Sequence, residues 1–267
     1  MNHPNPFMVS NRKIDPSRRR AVALKPDGTP DDNDRVEIGP TARAFAEWDA
    51  AGITVPDMPA LRSYRLDRLL GEIHKRDLAG LLLFDPLNIR YATDTTNMQL
   101  WIAHNAARAC LVLADGHVVL WDFHGCEHLS AHNPLVREVR HGASFFYFET
   151  GDRTDEAASH FASEVRALMR THTGENCRLG VDKIELPGDR ALRALGIDVI
   201  DGQPATEFAR SIKDANEINA MRCAIHACDL AIGEMRAVMR PGVTEVDLWA
   251  ALNHGNHIRG GEWIETR

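Results

Sequence analysis

Short apolar runs alternate with amphipathic helical segments between residues 57 and 203, and this alternation most constrains the fold. The run GLLLF follows the segment ALRSYRLDRLLGEIHKRD, in which apolar residues recur at helical spacing. The stretch ACLVLADGHVVLWD is typical of two strands joined at Asp115–Gly116, a pair that favours a two-residue β-hairpin turn. LVREVRH alternates with period two, and a second helical segment, DEAASHFASEVRALMRTH, precedes the short apolar runs RLGVD and GIDVI. The sequence therefore predicts an α/β domain with a mixed sheet flanked by helices.

Residues 1–56 form a segment of different character. The stretch KPDGTPDDNDRVEIGPT strings turn formers together without helical or strand periodicity. Two interpretations are open, a disordered tail or an ordered arm that lies on a neighbouring subunit. ARAFAEWDAAG (42–52) has helical spacing, and Trp48 is an anchor-type side chain, so the arm is favoured.

Residues 204–267 carry an apolar stripe at helical spacing. The stripe recurs at intervals of three and four residues through Ile218, Met221, Ile225, Cys228, Ile232, Met235 and Met239. Thr244 and Asp247 form a typical N-cap pair that opens a second helix. Burial of the stripe would contribute roughly 10–20 kcal/mol, and the short remainder of the sequence cannot supply a sheet to cover it. We therefore expect 204–267 to be the start of a truncated domain, after an arm (1–56) and the α/β domain (57–203).

Composition narrows the class of protein. The net charge is −7, from 38 acidic and 31 basic residues, whereas nucleic-acid binding favours a basic excess. The apolar runs are too short to span a bilayer, and the basic amino terminus lacks the apolar core of a secretory signal. Five cysteines without a C-x-x-C pair indicate reduced thiols. The sequence thus predicts a cytoplasmic protein that binds neither nucleic acid nor membranes.

Candidate catalytic and metal-binding clusters within the sequence are weak. His124, His128 and His132 are spaced four apart in DFHGCEHLSAH, but Gly125 interrupts the helix that would align them. Eight residues of helix also extend about 12 Å, so the three imidazoles could not all reach one ion. The other group, His254, His257 and Glu262 in NHGNHIRGGE, is more typical of a helix end. No G-x-S-x-G, H-E-x-x-H, P-loop or G-x-G-x-x-G motif occurs. The residues alone predict no catalytic residue and no metal ligand in this chain.

Several motifs resemble a known family. DPLNIRYATD resembles the strand-to-loop signature of creatinase/prolidase (M24) amino-terminal domains, which precede a "pita-bread" metal-binding domain. SIKDANEINAMRCAIHACDLAIGEM and PGVTEVDLWAAL are similar to the first two helices of that second domain. Taken together, RKIDPSR, DGTPDDNDRVEIGPT, NPLVREVRHGASFFYFETGD and RGGEWIETR resemble the DddP-type dimethylsulfoniopropionate (DMSP) lyases of this superfamily.

The resemblance implies a fold and an activity. The fold would be a creatinase-type amino-terminal domain, followed by the first helices of an incomplete pita-bread domain. The activity would be a β-elimination that cleaves DMSP into dimethyl sulfide and acrylate in a homodimer, with an iron-type divalent metal centre. The family's metal ligands correspond to positions after Arg267, so the resemblance implies that this chain alone is inactive. Two alternatives remain open, a fragment of an Xaa-Pro peptidase or creatinase-like hydrolase and a non-catalytic dimerisation module.

The resemblance also implies candidate substrate-binding residues. Amino-terminal domains of the family help close the partner subunit's site, often with an aromatic side chain. Trp101 is the first candidate for this role in trans, because an indole face attracts a sulfonium cation, although a core or interface tryptophan is the alternative. Asn97, Tyr91 and Arg90 are weaker candidates, and Arg90 could instead pair with Asp85 or Asp94.

Overall fold

The computed structural model describes residues 39–124, 126 and 129–261. Most of the predicted arm (1–38), the residues Gly125, Glu127 and His128 of the histidine-rich segment, and the final residues 262–267 lie outside this part of the chain. From Gly39 onward the chain forms one compact unit. The predicted division at 56/57 and 203/204 stays a prediction.

The described elements follow one another in a mixed order of helices and strands. They are α1 (Ala42–Ala50), α2 (Met58–Lys75), β1 (Gly80–Leu83), α3 (Pro86–Thr93), α4 (Gln99–His104), β2 (Ala109–Leu113), β3 (Val118–Asp122), β4 (Val136–His141), α5 (Tyr147–Thr150), α6 (Thr154–Thr173), β5 (Arg178–Val181), α7 (Leu186–Ala194), β6 (Asp198–Asp201), α8 (Gln203–Ser211), α9 (Ala215–Val238) and α10 (Glu245–His257). None of these helices is long and apolar enough to cross a membrane.

The six strands form one mixed sheet in the order β4-β3-β2-β1-β5-β6. β1 with β2, and β2 with β3, are antiparallel, whereas β3 with β4, β1 with β5 and β5 with β6 are parallel. The hairpin predicted at Asp115–Gly116 joins β2 to β3. Gly116 has φ +86°, and the Asp115 carboxylate accepts a hydrogen bond from the His117 N–H at 3.0 Å. The predicted α/β class with a mixed sheet is confirmed.

Helices cover both faces of the sheet. On one face, α6 and α7 pack against the strands through residues such as Phe161, Val165 and Leu192. On the other face, α2, α3 and α8 contribute Leu69, Ile89 and further apolar side chains. Strands β1, β2 and β3 are buried at every position, which explains why they are continuous apolar runs in the sequence.

Helix α1 attaches to the carboxy-terminal helices of the same chain. The Trp48 indole N–H donates to the Cys223 carbonyl of α9 at 2.9 Å, and its ring is buried. Arg259, which follows α10, is buried and pairs with Glu47 of α1 and Glu234 of α9. The predicted helix around Trp48 is confirmed, and whether residues 1–38 form an arm on a neighbouring subunit stays a prediction.

Helices α9 and α10 adopt the predicted arrangement. The Thr244 side chain accepts from the Asp247 N–H, and the Asp247 carboxylate accepts from the Thr244 N–H, which completes a capping box. The apolar stripe of α9 is only partly covered, because Ile218, Met221, Ile225 and Ile232 are exposed. Cys223 and Ala231 are the buried apolar residues on the opposite side of the helix.

Candidate functional site

Asp182 ties together the carboxyl ends of the parallel strands β1 and β5. Its carboxylate accepts hydrogen bonds from the Phe84 and Asp85 N–H groups at 2.8 and 3.1 Å and from the Asn88 side-chain amide at 2.9 Å. Burial raises the pKa of Asp182, and these hydrogen bonds oppose the rise. Asp182 thereby fixes the start of α3. Sequence reasoning missed it, although an aspartate directly after the buried run RLGV could have indicated it.

The segment DPLNIRYATD forms a helix and not the expected strand-to-loop connection. Asp85 caps α3 by accepting from the Leu87 N–H at 2.8 Å, and Pro86 occupies the first turn, where its missing N–H costs nothing. The helix ends at Asp94, which adopts a left-handed conformation with φ 51°.

Tyr91 and Arg90 both lie on α3, in different surroundings. Tyr91 is buried, and its hydroxyl donates to the Ala209 carbonyl of α8 at 3.1 Å. Burial is the main cause that raises the Tyr91 pKa. Arg90 is half-buried. Asp94, one of the partners considered for Arg90, forms an ion pair with Arg62 at 2.8 Å.

A buried ionic network holds the loop between α3 and α4. Asn97 donates through its side-chain amide to Asp122 at 2.9 Å, and the Arg108 Nε donates to the same carboxylate at 3.0 Å. The side chains of Arg108 and Asp122 are each 1% exposed. Arg108 also donates to the Thr95 hydroxyl at 2.6 Å. Because Met98 at the end of this loop has φ 44°, the network maintains a backbone conformation that non-glycine residues rarely adopt.

Trp101 follows this loop on α4 and is 36% exposed. Its ring meets the Phe148 ring edge-on, with centroids 5.6 Å apart. Phe148 is 79% exposed, and its neighbour Tyr147 is also exposed. We call Trp101 and Phe148 the aromatic pair. In this chain Trp101 is not a core residue, and an aromatic face remains accessible for a cationic group.

Of the four residues predicted from the sequence, Asn97 and Trp101 therefore lie on the same rigid segment, one at each side of Met98. Tyr91 is directed towards α8 and away from solvent. Sequence reasoning missed Phe148, whose only signal was the aromatic run FFYF, and it missed Arg108, whose pairing with Asp122 links two strands that are distant from the aromatic pair in sequence.

The histidines singled out in the sequence have local contacts where they are described. The His124 ring meets the His141 ring at 4.7 Å, and His132 Nε2 lies 3.1 Å from the Asp94 carbonyl. His257 Nδ1 lies 2.9 Å from the Gly261 carbonyl. His128 and Glu262 lie outside the described residues.

Within the described ranges, one group of three potential metal ligands comes together: His117, Glu138 and His172. It contains a single carboxylate. A two-metal centre built from several aspartates and glutamates does not fit this group.

Comparisons with known proteins give a consistent result at the level of sequence. No protein-family model matches the chain. The dimethylsulfoniopropionate lyase DddP of Roseovarius nubinhibens is 52% identical, over 98% of this chain and 59% of that protein. The DddP of Roseobacter denitrificans is 54% identical over the same shares of the two chains. The chain thus spans about three fifths of the length of these curated relatives.

Solved structures agree on the fold. The Xaa-Pro dipeptidase of Bacillus anthracis matches with a TM-score of 0.52 at 18% identity, over 72% of this chain and 47% of that chain. A dipeptidase of Pyrococcus horikoshii OT3 matches with a TM-score of 0.52 at 16% identity, over 73% and 49% of the two chains. At such identities the likeness concerns the fold alone.

Fold and sequence together define a class. The described α/β unit has the architecture of creatinase/prolidase-type (M24) proteins, as the mixed sheet and its flanking helices already indicated. Within this class, the chain is a relative of the DddP-type dimethylsulfoniopropionate lyases, and the resemblance drawn from the sequence motifs is confirmed.

Proposed function

We propose that this chain forms the amino-terminal part of a metal-dependent lyase that cleaves DMSP into dimethyl sulfide and acrylate. The observation that carries the proposal is the identity of 52–54% to DddP lyases over 98% of the chain. In the β-elimination, a base takes the proton α to the carboxylate. The C–H electrons form the new double bond, and the C–S bond breaks so that dimethyl sulfide leaves with its electron pair.

A divalent, iron-type metal is part of the proposal. When bound, it would act as a Lewis acid on the substrate carboxylate and stabilise the negative charge that develops there. The described residues bring together no carboxylate-rich ligand set, since the single group with ligand spacing is His117, Glu138 and His172. We therefore propose that the catalytic metal ligands correspond to the part of the relatives that this chain does not span, and that the chain alone is inactive.

The contribution proposed for this chain is to bind the sulfonium end of the substrate. In a homodimer, the aromatic pair of one subunit would face the catalytic site of the other. A sulfonium cation over the exposed indole face of Trp101 gains electrostatic attraction from the ring quadrupole. The pair is held on a rigid support, because Asn97, Asp122 and Arg108 lock the loop before α4.

The other candidates would act at a greater distance from the substrate. Asn97 positions Trp101 through the Asp122 carboxylate, and Tyr91 positions α3 through its hydrogen bond to α8. Arg90 is half-buried on α3, and its proposed role is to contribute positive charge beside the substrate carboxylate.

The test compares two proteins: the 267-residue chain, and a chimera that continues it with the remaining carboxy-terminal part of the Roseovarius nubinhibens relative. Both are supplied with DMSP, and release of dimethyl sulfide and the metal content are measured. We expect release only from the chimera, together with bound metal. Release from the 267-residue chain would contradict its proposed inactivity, and a folded, metal-loaded chimera without lyase activity would contradict the substrate.

A hydrolase is the competing activity, because the solved structures that share the fold include an Xaa-Pro dipeptidase. An Xaa-Pro dipeptide is therefore included as a second substrate for the chimera. Hydrolysis of the dipeptide without release of dimethyl sulfide would favour the hydrolase over the lyase.

A further inference from the structure

Three side chains from separate elements meet at one end of the sheet, on a face that the proposed lyase reaction does not use. His117 precedes β3, Glu138 lies on the edge strand β4, and His172 lies in the last turn of α6. One potential ligand atom from each lies within 4.8 Å of the other two. We propose that His117, Glu138 and His172 form a binding site for a zinc ion, distinct from the catalytic metal centre proposed for the whole protein.

The orientation of His172 supports metal binding. Its Nδ1 lies 2.8 Å from the Asp115 carboxylate, so that Nδ1 carries the proton and Nε2 is left with its lone pair. Histidine ligands of zinc commonly donate their second ring N–H to a carboxylate in this way, which fixes the tautomer and the ring orientation. Asp115 also accepts the His117 N–H and thereby fixes the turn that carries the first ligand.

Glu138 is oriented in a similar manner. Arg140 donates two hydrogen bonds to Glu138 Oε2, at 2.9 and 2.7 Å, whereas Oε1 lies 2.9 Å from His117 Nε2. One carboxylate oxygen is thus held by Arg140 and the other faces the imidazoles. The register between β3 and β4 shifts at Val118/Val119, opposite Glu138, and such bulges commonly redirect side chains next to functional sites.

The packing and charge of the site suit a dication. The two imidazole rings are stacked with centroids 4.0 Å apart, and both side chains are about one-fifth exposed, so little ordering is needed on binding. Two carboxylates, Asp115 and Glu138, flank the rings, and Arg140 is also balanced by Glu164 at 3.6 Å. Two neutral imidazoles and one carboxylate, with an open fourth position for water, are a ligand set that zinc prefers.

Zinc at this site would connect the β2–β3 turn, the edge strand β4 and the end of α6. Because zinc would bind the folded chain and not the separated ligands of the unfolded chain, it should raise the temperature of unfolding. The ligands must be deprotonated to bind, so affinity should fall on acidification. The groups that face the imidazoles in this range are Asp115, Glu138, Arg140 and Glu164.

The site is tested by calorimetric titration of the EDTA-treated 267-residue chain with Zn²⁺. We expect one zinc per chain and tight binding, with Mg²⁺ showing none. His117→Ala and His172→Gln should abolish this binding, and Asp115→Asn should weaken it about 10- to 100-fold by releasing His172. His160→Ala is the matched control, because His160 is an exposed histidine on the same helix and should leave the affinity unchanged.

Two further measurements separate the site from other causes. Melting curves in EDTA should be the same for the variants and the parent, which shows that lost binding is not lost folding. A Co²⁺-loaded chain should lack the intense absorption of thiolate ligands, which excludes binding by the cysteines. Absence of zinc binding, unchanged affinity in both histidine variants or a thiolate spectrum would each overturn the proposal.

Discussion

At the scale of single residues, the aromatic pair is the feature that connects this chain to its proposed substrate. Trp101 combines an exposed ring face with a backbone that is fixed on both sides. The loop before it is held by the Asn97–Asp122–Arg108 network, and its own ring packs edge-on against Phe148. A side chain that served only to fill space would not need this support, since it would be buried by its neighbours.

Replacing Trp101 by alanine in the chimera should raise the KM for DMSP. A cation–π contact contributes about 0.5–2 kcal/mol, which corresponds to an increase of about 2- to 30-fold. Trp101→Phe should retain most of the affinity, because a ring face remains. Phe208→Ala is the control, since Phe208 is an exposed aromatic residue of α8 that contacts Lys75 and Arg76. An unchanged KM for Trp101→Ala would remove this residue from the proposed site.

The sequence could reveal some of these residues and not others. Trp101 was found through a family motif that extends over consecutive positions. Phe148 and the zinc ligands could not be found in that way, because His117, Glu138 and His172 meet only when β4 pairs parallel to β3 and α6 crosses back over the sheet. No periodicity in a single sequence reports such long-range contacts.

At the scale of elements, the predictions succeeded where one physical rule dominates. The central strands are buried on both faces and are therefore unmistakable apolar runs, and the hairpin turn requires the glycine that follows Asp115. Helix α3 was misjudged because Ile89, Tyr91 and Thr93 favour strands. The N-cap Asp85 and the following proline were the local signal that could have corrected the prediction.

The attachment of α1 to α9 and α10 should depend on pH. The hydrogen bond from Arg259 is the main cause that lowers the pKa of both Glu47 and Glu234 below the ordinary value of 4.5. A carboxylate whose pKa is depressed by folding contributes stability above its unfolded pKa, and that contribution is lost as the pH falls through the folded pKa. The loss should therefore begin near pH 4.5 and continue at lower pH.

Glu47→Gln tests this interpretation in the 267-residue chain. The variant should be less stable than the parent near neutral pH, and the difference should shrink as the pH falls below about 4.5, as measured by urea unfolding. Glu175→Gln, at an exposed position between α6 and β5, is the control and should follow the parent at every pH. A difference between Glu47→Gln and the parent that persists at low pH would contradict the role assigned to the ionised carboxylate.

At the scale of the whole molecule, the apolar stripe of α9 is the feature that the described residues do not account for. A helix normally buries its apolar face, yet Ile218, Met221 and Ile225 are exposed while the opposite side contacts α1 and α10. The curated relatives are longer, since this chain covers 59% of each. These two facts support the expectation that the stripe packs against β-structure of the pita-bread domain.

Ile225→Ala distinguishes a covered stripe from an exposed one. In the 267-residue chain, Ile225 is 56% exposed, so the free energy of unfolding should change by no more than about 0.5 kcal/mol. In the chimera, the same substitution should cost about 2–5 kcal/mol if the added domain buries the side chain. Leu69→Ala, in the core beneath α2, should destabilise both proteins and so shows that each unfolding transition reports on core packing. Equal and small effects of Ile225→Ala in both proteins would mean that the added residues leave the stripe uncovered, and the proposed pairing of α9 with a catalytic domain would then be wrong.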